Sequence, residues 1–165
     1  MNLNLETEVQ KHFDISVQCI LHHGKLNSKV YLYTDEGLLF KDPFDFSNRE
    51  LAKRTIKSMI VKTTAEMVII IYQAFLSNSL NIPPSKAPDR RKAICVYGET
   101  REGCFVLYQE YESNGTHGSM LGEKVIVKDM FYGNLTGFFK YSQVSNLLPL
   151  LLSNLQSKKI KEGGE

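Results

Sequence analysis

A chain of 165 residues, 42% of them hydrophobic, is long enough to bury a core without metal or disulfide staples. Its net charge of +2 is too small to indicate a dedicated nucleic-acid module, and its apolar runs fall short of the roughly 20 residues that a transmembrane helix needs. The three cysteines cannot all pair with one another, and no C-x-x-C spacing occurs. Because the N-terminus also lacks the basic and apolar regions of a signal peptide, we expect reduced thiols, a cytoplasmic location and no bound metal.

The N-terminal part of the chain predicts one helix followed by a meander of strands. Residues 3–13 indicate a short helix, because their apolar side chains fall near one face. Residues 15–21 alternate between apolar and polar side chains, which is typical of a strand. Two further strand segments, at 30–33 and 38–40, flank turn residues and complete an antiparallel meander.

The middle of the chain predicts a central amphipathic helix at about 47–61. Ser47 and Glu50 form a capping box, in which the serine side chain accepts a backbone N–H and the glutamate reaches back to the serine. Apolar residues then recur at helical spacing, so one stripe of the helix should lie on a sheet. The apolar run that follows, at 67–72, suits a strand that is buried on both faces.

The second half predicts a proline-rich loop, a hairpin and a C-terminal helix. Residues 79–91 hold three of the five prolines, which cannot donate to a sheet ladder and therefore indicate an ordered extended loop. Strands at 93–97 and 104–111 form the clearest hairpin. The pattern continues with a loop at 113–122, short strands at 125–127 and 135–139, and a helix at about 146–159 with Pro149 in its first turn.

Together these segments predict a single α+β domain over residues 1–157, followed by a flexible charged tail at 158–165. The sheet should be mostly antiparallel and contain about six to eight strands, with the central helix and the C-terminal helix packed on it. Runs of strands with segregated helices favour this class over alternating βαβ winding.

One stretch of the chain resembles a known sequence pattern, and it consists of Gln73-Ala74-Phe75 followed by Pro84-Ser85-Lys86-Ala87-Pro88-Asp89-Arg90. It is similar to a family of bacterial and phage proteins in which an apolar strand ends in Glu-Ala-Trp and Pro-Ser-x-x-Pro-x-Arg leads into a second strand. The resemblance implies a bacterial or phage origin but no activity, because none is established for that family. Gln73 replaces the family's glutamate and Phe75 its tryptophan, so a catalytic role of that acid would be lost here.

Arg90 and Arg91 precede the first strand of the hairpin and are the leading candidates for binding an anion. A guanidinium pairs with a phosphate or carboxylate through two parallel hydrogen bonds. Glu99 and Arg101, in the turn of the hairpin, complete the candidate ligand-binding set. The alternative is structural, since an arginine at this position also ties a proline loop to its domain.

Acidic residues on or beside strands offer a metal-dependent alternative. Glu66, Glu99, Glu110 and Asp129 would hold Mg²⁺ for phosphodiester hydrolysis if they converged. No recognised nuclease, zinc or nucleotide-binding spacing accompanies them. We therefore assign no catalytic residue, and solvated surface charges are the competing interpretation.

Two helical surfaces carry the predictions about partners. Basic residues of the central helix leave nucleic-acid binding open, although a solvated helix face has the same composition. The apolar stripe of the C-terminal helix predicts a homodimer or protein-partner interface, unless the helix docks on the sheet of its own domain. This stripe consists of Leu148, Leu151, Leu152 and Leu155.

The sequence thus predicts a small intracellular binding or protein-interaction module without a cofactor, a membrane segment or a catalytic motif. The alternative is a metal-dependent hydrolase or nuclease-like enzyme that acts on a phosphorylated or nucleic-acid substrate. The two interpretations differ in whether the arginines and the acids meet at one site, because catalytic groups must lie within hydrogen-bond reach of one substrate.

Overall fold

The computed structural model describes residues 3–129 and 135–139 of the chain. Within them, two helices and six strands follow in the order α1 (Leu5–His23), β1 (Lys29–Thr34), β2 (Gly37–Pro43), α2 (Arg49–Thr63), β3 (Met67–Leu76), β4 (Arg91–Thr100), β5 (Cys104–Ser113) and β6 (Gly118–Lys128). A short 3-10 turn, Pro84–Lys86, lies in the connection between β3 and β4. None of the described helices is long and apolar enough to cross a membrane.

The six strands form one antiparallel sheet in the order β2-β1-β3-β4-β5-β6. Each neighbouring pair is consecutive in sequence except β1 and β3, which are separated along the chain by β2 and α2 and pair with Val30 opposite Ile70. This arrangement confirms the predicted α+β class, the antiparallel sheet and the hairpin of β4 and β5.

The central strand β3 is buried on both faces, as its run of β-branched residues predicts. Val68 and Ile70 point to one side of the sheet, and Ile69 and Ile71 point to the other, because successive strand residues alternate. All four side chains are at most 3% exposed. Two hydrophobic cores therefore flank the sheet, one on each face.

Helix α1 covers the first face of the sheet. It contributes Val9, Phe13 and Ile20 to a core shared with β1, β3, β4 and β5. Gly98 on β4 allows the close approach of the helix, since a Cβ at this position would collide with the side chain of Val9. A glycine inside a strand is thus explained by the packing of a helix against it.

Helix α2 covers the second face. It contributes Ala52, Ile56 and Ile60 to the core that lies on this side. The segment 135–139 completes the same core with Leu135, Phe138 and Phe139. The sheet is therefore the middle of three layers, with α1 on one side and α2 and the segment 135–139 on the other.

The predicted strand at 15–21 is wrong, because α1 continues without a break to His23. The apparent alternation of apolar and polar residues arises because polar Ser16 occupies a buried position while Ile15 is exposed. The Ser16 hydroxyl donates to the His12 carbonyl at 2.8 Å, so its polar group is satisfied within the helix. The face that packs on the sheet follows helical spacing and comprises Val9, His12, Phe13, Ser16 and Ile20.

The capping box predicted for α2 is also wrong. Asn48, not Ser47, caps the helix, and its side chain accepts the Leu51 backbone N–H at 3.0 Å. Ser47 instead bonds to Asp45, through its backbone amide at 2.8 Å and its hydroxyl at 2.9 Å. The helix therefore starts later than the predicted 47–61, at Arg49, and ends at Thr63.

The C-terminal half departs from the prediction in two places. The predicted loop at 113–122 is shorter, because β6 already begins at Gly118. Residues 135–139 form a turn and irregular backbone instead of a strand, although their side chains are core residues. The predicted C-terminal helix at 146–159 and the tail at 158–165 lie outside the described residues.

Candidate functional site

The four residues of the predicted anion site lie at opposite ends of β4. Arg90 directly precedes the strand and Arg91 begins it. Glu99 lies one residue before the end of the strand, and Arg101 follows it. At about 3.4 Å per residue, the Cα atoms of Arg91 and Glu99 are about 27 Å apart. A single small ligand cannot contact both pairs, so they belong to two different surfaces.

Arg90 fastens the connection between β3 and β4 to the sheet. Its Nη1 donates to the Ser85 carbonyl at 2.9 Å, and its guanidinium lies 5.7 Å from the centre of the Phe75 ring. A cation over an aromatic face is attracted by the quadrupole of the ring. These two contacts give Arg90 a structural role, in which it holds the connection between β3 and β4 in place.

Arg91 is engaged by protein groups on the surface. Its Nη1 lies 2.7 Å from Glu110 Oε1 on β5, and its Nη2 donates to Asn78 Oδ1 at 3.4 Å. The arginine side chain remains exposed, so solvent screens this ion pair. Glu110, considered above as a metal ligand, is thus half of an ion pair with one of the candidate anion-binding arginines.

Glu99 is buried between β4 and the segment 135–139, with 1% of the residue exposed. Its carboxylate accepts the backbone N–H groups of Phe138 and Phe139, each at 3.0 Å, and the hydroxyl of Tyr97. Burial, followed by the nearby Glu99 carboxylate, raises the pKa of the Tyr97 hydroxyl far above its usual value, so Tyr97 keeps the proton that it donates. These donors offset the cost of burying the carboxylate, and Glu99 anchors backbone in the core.

Lys53 on α2 lies near Glu99. Burial and the charge of Lys57 lower the pKa of the Lys53 ammonium, whereas the Glu99 carboxylate favours its charged form. Arg54, on the same helix, pairs with Glu50 at 3.2 Å. The basic residues that the sequence assigns to one solvated face are therefore partly engaged within the domain.

Two open clefts meet at Arg101, beyond the end of β4. One, of about 450 Å³, is mostly apolar and lies between the C-terminal end of α2 and Phe138 and Phe139. The other, of about 560 Å³, is polar and is lined by Glu66 and Glu102. Arg101 lines both clefts and forms no ion pair with the residues that the structure describes. Over residues 3–129 and 135–139, no three His, Cys, Asp or Glu side chains converge on a position for a metal ion.

A buried polar cluster joins α1 to β1 and was not found by sequence reasoning. His12 Nε2 lies 2.7 Å from Tyr33 Oη, and the Tyr33 hydroxyl donates to Glu8 Oε2 at 3.2 Å. Since a tyrosine hydroxyl has one proton, the geometry places the proton of the other hydrogen bond on His12 Nε2. Burial and then Glu8 raise the pKa of Tyr33 above its usual value. The available signal was the position of His12 three residues after Val9, on the apolar face of α1.

The three cysteines all lie within the described residues, and none of them forms a disulfide. Cys95 is enclosed in the core beneath α2, where burial raises the pKa of its thiol to about 12 even though Tyr72 hydrogen-bonds to it. The thiolate is the nucleophilic form of cysteine. Cys95 is therefore a core residue and not a nucleophile at neutral pH.

Strand β6 lies at an edge of the sheet within the described part of the chain. Leu121 and Val125 are exposed on the face that α2 covers, and Ile126 is 54% exposed on the face that α1 covers. Tyr108 and Val127 lie beside them and are only partly buried. The apolar side chains at this edge thus continue past the area that the two helices cover.

The leucines of the predicted interface, Leu148, Leu151, Leu152 and Leu155, lie outside the described residues, so that interface stays a prediction. No family model, curated protein or solved structure matches the chain.

Proposed function

We propose that the protein is a non-enzymatic protein-interaction module that binds a partner strand along β6. The observation that carries the proposal is an 11-residue edge strand, within the described residues, with exposed apolar side chains on both of its faces. An unpaired edge offers a row of backbone N–H and C=O groups to an incoming strand. In strand addition, those groups supply affinity and pockets for alternate side chains supply specificity.

The irregularity of β6 selects the part of the edge that is suited to pairing. The register with β5 shifts between Tyr108 and Glu110, and Gly122 on β6 has a φ of +62°. A bulge of this kind bends an edge and discourages pairing across it. The segment 123–128 beyond the bulge keeps regular pairing with β5 from Val125 onward, so we assign the partner strand to this segment.

The lysines of β6 support the same assignment. Natural edge strands commonly use lysine to prevent unwanted pairing. Here Lys124 Nζ donates to Gln10 Oε1 at 2.8 Å, and Lys128 Nζ lies 2.7 Å from Glu6 Oε1. Both ammonium groups thus bend toward α1, and Val125 and Ile126 remain the exposed side chains between them.

Because none of the three cysteines, all within the described residues, forms a disulfide, we propose a reducing compartment such as the cytoplasm as the place where this module works. The partner strand belongs either to a second copy of the chain or to another protein. Both use the same backbone chemistry, and the experiment below distinguishes them.

Replacing Ile126 with lysine in the full chain tests the proposal. Because Ile126 is more than half exposed, the substitution leaves the core intact while it adds a charge that opposes strand addition. The matched control is Val61→Lys, since Val61 is 78% exposed on α2 and does not belong to the edge. Analytical ultracentrifugation measures self-association, and affinity capture from the producing cells with mass spectrometry identifies a different partner.

We expect the parent chain either to self-associate or to capture a partner protein. The affinity of that interaction should fall at least about tenfold in Ile126→Lys and stay unchanged in Val61→Lys. Equal behaviour of the parent protein and both variants in the two assays rejects β6 as the binding edge. Mg²⁺-dependent hydrolysis of a phosphate ester that is lost in Glu66→Gln or Arg101→Gln establishes the enzymatic alternative instead.

A further inference from the structure

The connection between β3 and β4, residues 77–90, is a loop closed at its base by one carboxylate; we call it the proline loop. Asp89 accepts hydrogen bonds from the Ser77 hydroxyl, from the Asn78 backbone amide at 2.9 Å and from the Ser79 hydroxyl at 3.2 Å. These hydrogen bonds, led by that of Ser77, lower the pKa of the Asp89 carboxyl. The two ends of the loop are therefore fastened to each other.

The second half of the proline loop is fastened to the sheet. Arg90 spans the Ser85 carbonyl and the Phe75 ring, as described above. Ala87 is buried, and its backbone amide and that of Lys86 donate to the Pro83 carbonyl at 3.1 and 2.8 Å. Proline restricts the backbone further, so much of the conformational entropy of the loop is lost before any partner binds.

The tip of this fastened loop carries apolar side chains in solvent. Leu80 is 98% exposed, and Ile82 is also exposed. A single exposed leucine on a protein surface is common and needs no explanation. Here two exposed apolar side chains lie on a loop whose ends are fixed by the hydrogen bonds of Asp89. The loop therefore presents them to a partner without first having to become ordered.

The surroundings of the loop are basic. Lys86 and Arg90 lie on it, and Lys92 follows on β4. None of the three forms an ion pair with a residue in the ranges 3–129 and 135–139. Asp89 is surrounded by its own hydrogen-bond donors, and Glu110 is paired with Arg91. A partner therefore meets an apolar tip beside positive charge.

We infer that the proline loop inserts Leu80 into an apolar pocket of a partner protein whose rim carries carboxylates. An anionic lipid surface shares this charge and apolarity but fits the loop less well. Asn78, Ser79 and Asn81 flank the tip, and inserting them into hydrocarbon would bury polar groups without hydrogen-bond partners. A protein pocket admits one side chain and leaves its polar neighbours in water, and it gains from a loop that is already ordered.

The test begins with a photo-crosslinking amino acid at position 80 of the full chain, and at position 61 as the control. A protein that is crosslinked in the producing cells from position 80 and not from position 61 is identified by mass spectrometry and purified. Its dissociation constant is then measured for the parent chain, Leu80→Ser, Val61→Ser and the double variant Lys86→Glu, Lys92→Glu. Because Leu80 is 98% exposed, the Leu80→Ser variant should unfold at the same temperature as the parent chain.

We expect Leu80→Ser to weaken binding about tenfold or more and Val61→Ser to leave it unchanged. The double charge reversal should weaken binding by a similar factor, and its effect should shrink at high salt. The inference is overturned if position 80 captures no specific protein, or if the charge reversal leaves affinity unchanged. It is also overturned if the parent chain, but not Leu80→Ser, binds vesicles of phosphatidylcholine and phosphatidylserine, because the ligand is then a membrane. Since β6 is a separate surface, each result stands apart from that of Ile126→Lys.

Discussion

Glu99 holds the backbone of two consecutive residues, Phe138 and Phe139, inside the core. A buried carboxylate costs free energy unless donors surround it, and here the donors come from a neighbouring tyrosine and from a distant segment. The residue is thus a structural anchor for the segment 135–139. The sequence alone does not reveal this role, because an acidic residue beside a strand suggests a metal ligand or a general base instead.

We predict that Glu99→Gln lowers the free energy of unfolding by about 2–3 kcal/mol, because the amide offers one acceptor oxygen where the carboxylate offers two. Urea unfolding followed by circular dichroism measures the change. Glu102→Gln is the matched control, since Glu102 is exposed in the adjacent turn and should change stability by less than about 0.5 kcal/mol. Equal stability of the two variants would show that the anchor contributes nothing.

The hydrogen bonds that Asp89 accepts in the proline loop should depend on pH. The pKa of Asp89 is lowered in the folded state, so the stabilisation that it gives the proline loop is fully present above the ordinary value of 3.8 and is lost as pH falls through the lower folded value. The Asn78 amide reports this directly, because it donates to the carboxylate. We expect its NMR shift to titrate with a midpoint below 3.8, the ordinary value, and not to titrate in Asp89→Asn. A midpoint at or above that value would mean that the clasp does not form in solution.

At the scale of elements, helix α1 shows how one buried polar residue changes a sequence interpretation. Ser16 interrupts the apolar stripe, and the residues around it then imitate the alternation of a strand. The caps were the better evidence, since Asn4 and Gly24 mark the two ends of a single helix. In α2 the predicted apolar stripe reaches the core through Ala52, Ile56 and Ile60, but the first turn lies later than predicted because Asn48, not Ser47, caps the helix.

Gly24 is the element boundary that we expect to tolerate substitution least. It ends α1 with a φ of +62°, and a Cβ there would lie 2.7 Å from Ser113 Oγ and 2.9 Å from the His117 backbone nitrogen. Gly122 has the same φ of +62°, but no atom of the described residues lies within 4 Å of its Cβ position. We predict that Gly122→Ala costs about 1 kcal/mol from backbone strain alone, and that Gly24→Ala costs about 1–2 kcal/mol more. Thermal unfolding of both variants measures the difference, and equal losses would contradict the predicted crowding at Gly24.

For the whole molecule, the sequence could predict those features of the fold that depend on residues close together along the chain. The β4–β5 hairpin, the double burial of β3 and the order of the proline loop each follow from local composition and period. The candidate site could not be predicted in this way. Glu99 meets Phe138 across 39 residues through a backbone amide, which carries no side-chain signature, and His12 meets Tyr33 across two different elements. The separation of Arg91 from Glu99 likewise depends on both belonging to one extended strand.

The order of the layers has a consequence for biosynthesis. Helix α1 is synthesised first, but the sheet face that it covers is built largely from β4 and β5 and bordered by β6, which are synthesised later. Chains leave the ribosome from the N-terminal end at about 5–20 residues per second. The stripe formed by Val9, Phe13 and Ile20 is therefore without its docking surface until β4 and β5 have been synthesised. An apolar surface that is exposed in this way during synthesis favours aggregation of the nascent chain.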